Sequence, residues 1–338
     1  MNMAILEALC GLDGISGRET AVREYIQGIL PKEACFRTDP LGNLIVEKPG
    51  ARRPGHTVML CAHMDEVGLI LTHITEDGFC GFAHVGGIDR RAYIGRPVRV
   101  GKRAVPGVVG LKPTHLCAGD EKKAIPRLES LYIDIGADSR EEARAMVAPG
   151  DSVVFSSAFV RFGEAHIKAR AIDDRVGCAI LLELLHQALP YDILAVFSAR
   201  EEIGGAARAA AFALAPDYAI VIETTTAADL PGVSGAEQVC RLGGGAVVPF
   251  MDKASLYPYE LYERAMVLAR EHGIPAQTKT LIAGGNDAGS IQHSREGIPA
   301  LAVSVPCRGL HSPCVTMKES DAEAVLALTG LLWEELSK

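Results

Sequence analysis

The chain has 338 residues, 48% of them hydrophobic and 22% charged, with a net charge of −8; that allows a large core plus a smaller second unit and argues against nucleic acid, whose phosphates require clustered lysines and arginines. Nine cysteines lie singly, an odd number with no C-x-x-C pair, and read as buried thiols of a reducing compartment rather than as disulfides. With no basic-then-apolar leader and no apolar run near the ~20 residues of a membrane span, a cytoplasmic protein that binds neither nucleic acid nor membrane is expected.

Met1 to Leu12 is mildly amphipathic. Ser16-Gly17-Arg18-Glu19 has the form of a capping box, with Val22, Ile26 and Ile29 following at helical spacing. Gly42 to Val46 reads as a turn entering a strand, and His56 to Ala62 as a buried strand ending at His63-Met64-Asp65. From there to about Phe162 the texture changes. Short β-prone runs (Val67–Ile74, Val98–Val100, Val105–Val109, Leu131–Ile135, Ser152–Phe155) are broken by glycines and prolines, the pattern of a small β-barrel or sandwich. One short helix, Arg140 to Met146, follows the Ser139…Glu142 capping box.

After Ala165 strands and helices alternate. Ala165–Ile172 is strand-like, Val176–Leu189 a strongly apolar helix, Ile193–Ser198 a strand, Ala206–Leu214 a small-residue helix and Tyr218–Ile222 a strand. Glu260–His272 is an amphipathic helix stopped by Gly273, Leu301–Val305 a strand, and Ser320…Glu323 caps a last helix to about Leu336. Such alternation builds a mostly parallel mixed sheet flanked by helices. The expectation is an α/β domain of residues 1–66 and 163–338, split by an inserted small β-barrel at 67–162. Gly243-Gly244-Gly245 reads either as close backbone approach to a pocket or as a flexible loop.

In open α/β sheets ligands bind beyond the carboxyl ends of the strands. Five such ends carry His63 and Asp65, Asp173 and Asp174, Glu201 and Glu202, Glu223, and, in a loop, His311. Singly each has a structural reading: a hydrogen-bonded histidine, an Asp-Asp helix cap, a solvated Glu-Glu turn. Together they would bury several carboxylates at one sheet edge, which is costly without cations. Mixed imidazole and carboxylate donors suit zinc or cobalt better than magnesium or calcium.

Five segments then resemble, in order, the motifs of the glutamyl/deblocking aminopeptidase family of dinuclear-metal peptidases, the tetrahedral aminopeptidases sometimes labelled endoglucanase or cellulase. They are His63-Met64-Asp65-Glu66-Val67-Gly68, Ala171-Ile172-Asp173-Asp174-Arg175-Val176-Gly177, Glu201-Glu202-Ile203-Gly204-Gly205-Ala206, Gly284-Gly285-Asn286-Asp287-Ala288-Gly289 and Pro306-Cys307-Arg308-Gly309-Leu310-His311-Ser312-Pro313. Gly14-Ile15-Ser16-Gly17 and Asp134-Ile135-Gly136-Ala137 extend the likeness over nearly the whole chain. The resemblance implies a zinc-exopeptidase-like fold and removal of N-terminal residues from peptides. It also implies two divalent ions per subunit, about 3.5–4 Å apart, and a homo-oligomer between a dimer and a tetrahedral dodecamer, with the insertion governing assembly or substrate access.

Carried over by position, Asp173 would bridge the ions, His63 and Glu223 would complete one site, and Glu202 and His311 the other. Asp65 would accept the free imidazole N–H of His63 and fix its tautomer. Glu201 would be the general base, serving a water shared by the two ions. The likeness also implies a cis peptide between Asp173 and Asp174. The sequence departs from the family at Glu223, where Asp is more frequent, at Gly309, where Tyr is frequent, and at Val315, where Glu is frequent. The alternatives are a related two-metal amidohydrolase, such as a deacetylase or carboxypeptidase, a glycosidase working through paired carboxylates, or a metal-bearing protein without activity.

Overall fold

The computed structural model describes residues 1–338, the side chains of Asp120 and Ala236 apart. Val58–His63, six consecutive buried residues, forms the middle of an 11-stranded mixed sheet. Ile193–Ser198 and Tyr218–Thr226 flank it in parallel, and Ala300–Arg308 pairs in parallel with Tyr218–Thr226. Strands buried on both faces need continuous apolar runs rather than alternation, and these four provide them. Toward both edges the pairing turns antiparallel, with Leu44–Lys48 and Cys35–Thr38 at one edge and Val315–Lys318, His166–Ala169 and Val160–Phe162 at the other, while Ala246–Pro249 branches antiparallel from Ala300–Arg308 and pairs in parallel with Ala276–Lys279.

Helix Ile172–His186 is buried nearly all round and packs against Val58–His63, Tyr218–Thr226, the first helix Met3–Gly11 and the last helix Glu319–Leu336. It starts earlier than its apolar stretch indicates. Asp173 and Asp174 fall within it in non-helical conformations, joined by a cis peptide.

The segment between the two parts of this sheet closes into a six-stranded barrel running from Gly68 to Phe155. Leu69, Val98, Val109, Ile133, Val153 and Phe155 fill its interior. Cys80–Val85, which has no clear β signature because Gly81 and His84 interrupt it, is one of its strands and pairs with Gly68–Ile74. Helix Arg140–Met146 lies behind Ser139, whose Oγ accepts the Glu142 N–H at 3.2 Å.

Several local readings change. Helix Thr20–Ile29 has no side-chain cap, because Ser16 Oγ donates to Asp65 and Glu19 accepts the Gly17 and Arg200 N–H groups instead. Helix Glu319–Leu336 begins without the Ser320 cap, since Lys318 holds the cap position. Glu223 lies inside its strand rather than beyond it. Gly243 and Gly245 donate their N–H groups to the buried Asp321 carboxylate at 2.7 and 2.8 Å, so the triple-glycine run is a clamped packing turn and not a pocket wall.

A partly buried ionic seam joins barrel and sheet. Arg170 Nη1 donates to Glu66, its Nη2 donates to Asp13 at 2.8 Å, and Asp13 also accepts from Arg99 of the barrel. All nine cysteines are free, and among the described residues no helix is long and apolar enough to cross a membrane.

Candidate metal centre

His63 ends its strand with a side chain only 2% exposed. Its Nδ1 faces the Asp65 carbonyl at 3.1 Å and the Asp65 Oδ1 at 3.4 Å, so the main chain takes the nearer place that the carboxylate was expected to hold. A carbonyl can only accept, which puts the proton on Nδ1 and turns the Nε2 lone pair outward. Nε2 lies 3.3 Å from Asp173 Oδ1 and 3.6 Å from Glu223 Oε1. Across the cleft His311 repeats the pattern: Nδ1 faces the Gly87 carbonyl at 2.9 Å, and Nε2 lies 3.3 Å from both Asp173 Oδ2 and Glu202 Oε2. The five residues singled out as metal ligands thus converge, with the two oxygens of Asp173 shared between two groups.

The donor chemistry fits cations. Two imidazole nitrogens whose other ring atom is satisfied point lone pairs at carboxylate oxygens, an arrangement that only positive charge makes favourable. Glu202 Oε1 is buried with no hydrogen-bond partner among the described residues. Without a cation the charge has to come from protons. Burial opposes a charged His63 ring, yet Glu223, Asp173 and Asp65 push its pKa well above the usual imidazole range. His311 rises to about 9 for the same opposing reasons, Asp173 and Glu202 outweighing burial. Burial also lifts the carboxyls, Glu202 to about 8 and Glu223 to about 7, whereas at Asp173 the two histidines overcome burial and lower it.

Glu201 and Glu202 sit on a single 3-10 turn after strand Ile193–Ser198. Asp65, wholly buried, anchors that turn: its Oδ1 accepts the Glu201 N–H at 3.0 Å and its Oδ2 the Glu202 N–H at 3.2 Å, while Ser16 Oγ donates to Oδ2 at 2.6 Å. Burial pushes the Glu201 carboxyl well above the carboxylate range, and it lines the cleft rather than the wall behind it. Asp174 accepts the His63 N–H at 3.2 Å and the Gly177 N–H at 3.1 Å, and its carboxylate still lies within 4.8 Å of donor atoms of His63 and Glu223.

Ser16 and Asp287 belong to the walls of the site although residue type and spacing alone give them no role there. Asp287 is 3% exposed, accepts Ser198 Oγ at 2.6 Å and sits against Gly205, at the end of the Glu201–Ile203 turn. The motifs Gly14–Gly17 and Gly284–Gly289 carry the only sequence signal for them.

The cleft holds about 500 Å³ and runs from these residues past Thr225, Val239, Lys279, Leu281, Asn286 and Leu310. The family model for the M42 glutamyl aminopeptidases matches residues 42–328. The chain belongs to that family. As an M42 member it is a metal-dependent aminopeptidase, a hydrolase of peptide bonds. A relative from Acetivibrio thermocellus is 37% identical over 330 residues, covering 96% of both chains. Among solved structures, aminopeptidase APDkam598 of the archaeon Desulfurococcus kamchatkensis superposes with a TM-score of 0.91 at 31% identity, over 99% of this chain and 94% of its own. The Pyrococcus horikoshii TET1 peptidase, described as assembling into a tetrahedron or a large octahedral shell, superposes with a TM-score of 0.83 at 33% identity, over 98% of each chain. The M42 assignment favours N-terminal peptide hydrolysis over the amidohydrolase and glycosidase alternatives.

Proposed function

We propose that this M42 aminopeptidase uses two divalent cations per subunit, one held by His63, Asp173 and Glu223 and the other by Asp173, Glu202 and His311, with zinc or cobalt the ions that such donors suit. The observation that carries this reading is the division of Asp173, whose Oδ1 faces His63 and whose Oδ2 faces His311. When bound, such cations acidify water and polarise a carbonyl.

The protein's own groups do the rest. Asp65 fixes the main chain of the turn that carries Glu201, so the carboxylate meets the cleft from an anchored position. Glu201 takes the proton of the attacking water and returns it to the leaving amine. A free α-ammonium group is drawn to the acidic end of the cleft, where Glu201 and Glu223 lie, and this confines cleavage to free N-termini. Peptides are the substrates, and the protein works in the cytoplasm as a homo-oligomer, between a dimer and a tetrahedral dodecamer. The assembly described for the P. horikoshii relative supports the oligomer. In this reading residues 67–162 are an insertion into a catalytic domain of residues 1–66 and 163–338, and they serve assembly or access.

The test is Glu201→Gln, assayed on a panel of aminoacyl-arylamides with Zn²⁺, Co²⁺ and Mn²⁺. Turnover should drop about 10²–10⁴-fold while elemental analysis finds an unchanged cation content. Near-normal turnover would remove Glu201 as the base.

A further inference from the structure

The barrel reaches into the site at one point. Its strands Gly68–Ile74 and Cys80–Val85 pair up to Gly68 opposite Val85, and the chain then turns through Gly86 and Gly87. The Gly87 carbonyl stands 2.9 Å from His311 Nδ1. Gly86 has φ +83°, and a Cβ built there would lie 2.8 Å from Val67 Cγ1 and 3.3 Å from Glu202 Cβ. One dipeptide of the barrel therefore packs on the stem of Glu202 and hydrogen-bonds the ring of His311.

His311 needs such support. It sits beyond the end of its strand, on a residue with φ +53°, with a side chain 39% exposed. His63 has its Nδ1 proton taken by a carbonyl two residues along its own chain. At His311 the same service comes from a carbonyl 224 residues away in sequence, in a different structural unit. A hydrogen bond of this kind fixes which ring nitrogen carries the proton and how the ring is turned.

We propose that the Gly86–Gly87 turn of the barrel is a positioning element for the Glu202–His311 cation site, setting the tautomer and orientation of His311 and the place of the Glu202 stem. The inference rests on the two-cation reading above. The barrel is then part of the metal centre, and not only a surface for assembly or access. Gly86 is required because any side chain there meets Val67 and Glu202 while straining a left-handed backbone.

The experiment uses the full chain, stripped with a chelator and titrated with Zn²⁺ by calorimetry, with Co²⁺ absorption spectra as a second readout. Gly86→Ala is compared with Gly95→Ala, which carries the same backbone penalty in the same barrel, with φ +73° but open space around it. Gly86→Ala should weaken one of the two zinc equivalents about 10–100-fold, leave the other unchanged and alter the Co²⁺ spectrum; Gly95→Ala should do none of this. Two wild-type equivalents with Gly86→Ala unaffected, or with both equivalents weakened alike, would overturn the inference alone. Fewer than two wild-type equivalents would overturn the two-cation reading, and the inference with it. Should Gly86→Ala fail to fold, ¹⁵N spectra of the zinc-loaded wild type decide: a protonated Nδ1 on His311 supports the inference, and a bare Nδ1 overturns it.

Discussion

His63 and Glu223 stand on adjacent parallel strands and are almost wholly buried, whereas Glu202 and His311 stand on a short turn and a loop, with His311 39% exposed. The first pair is placed by the hydrogen-bond ladder of the sheet, which cannot shift without unpairing its neighbours. The second pair is placed by side-chain and carbonyl contacts from elsewhere: Asp65 beneath the glutamate turn, Gly87 against the histidine. The two halves of one centre therefore draw their rigidity from different sources. The strand-borne half should persist without metal, while the loop-borne half should be the softer and the first to empty.

The sharpest way to break that contrast is Asp173→Ala, because Asp173 faces both halves. Cation content should fall at both together and turnover by about 10³-fold or more; loss confined to one half would show that Asp173 is not shared. Next comes a paired measurement of thermal unfolding in metal-free protein. His63→Ala leaves buried carboxylates without their counter-charge and should lower stability by about 3 kcal/mol. His311→Ala, half open to solvent, should cost below about 1 kcal/mol, and equal losses would erase the distinction. The smallest effect concerns pH. With its pKa raised from 6.5 to about 9, His311 keeps its proton in the metal-free protein across the neutral range. Its contribution to metal-free stability is thus complete below pH 6.5 and disappears as pH rises through about 9. A cation has to displace that proton, and below about pH 8 the Glu202 proton as well, so affinity at the loop-borne half should climb about tenfold per pH unit between pH 8 and 9, more steeply below pH 8, and level off above pH 9. A calorimetric titration at several pH values that found no slope would contradict this.

The parts legible in the sequence are those written in residue types. Apolar runs announced the four central strands, and the polar residues after them gave His63, Glu201 and Glu202; Glu223 came the same way, though its strand runs on past it. Ser16 was misread because a capping box is a local pattern, while its partner Asp65 is 49 residues away. The Asp65 carboxylate does stand by the imidazole at 3.4 Å, but the sequence does not show that its carbonyl stands nearer, at 3.1 Å, or that the same carboxylate holds two amides of the glutamate turn. Cys80–Val85 escaped because a glycine and a histidine break its alternation. The Gly87 contact could not be read at all. A main-chain carbonyl carries no residue signature, so only the folded backbone reveals where it points.

The order in which the strands leave the ribosome now acquires a meaning. Val58–His63 emerges with five apolar residues before its histidine, but its partners Ile193–Ser198 and Tyr218–Thr226 follow more than a hundred residues later. The barrel finds all its pairings between Gly68 and Phe155, so it can close in the interval. The unpaired central strand must meanwhile wait beside it, exposed to aggregation until the sheet is complete. A nascent-chain series halted before and after residue 226 should show the barrel protected first, with Val58–His63 open to proteolysis until the later strands arrive.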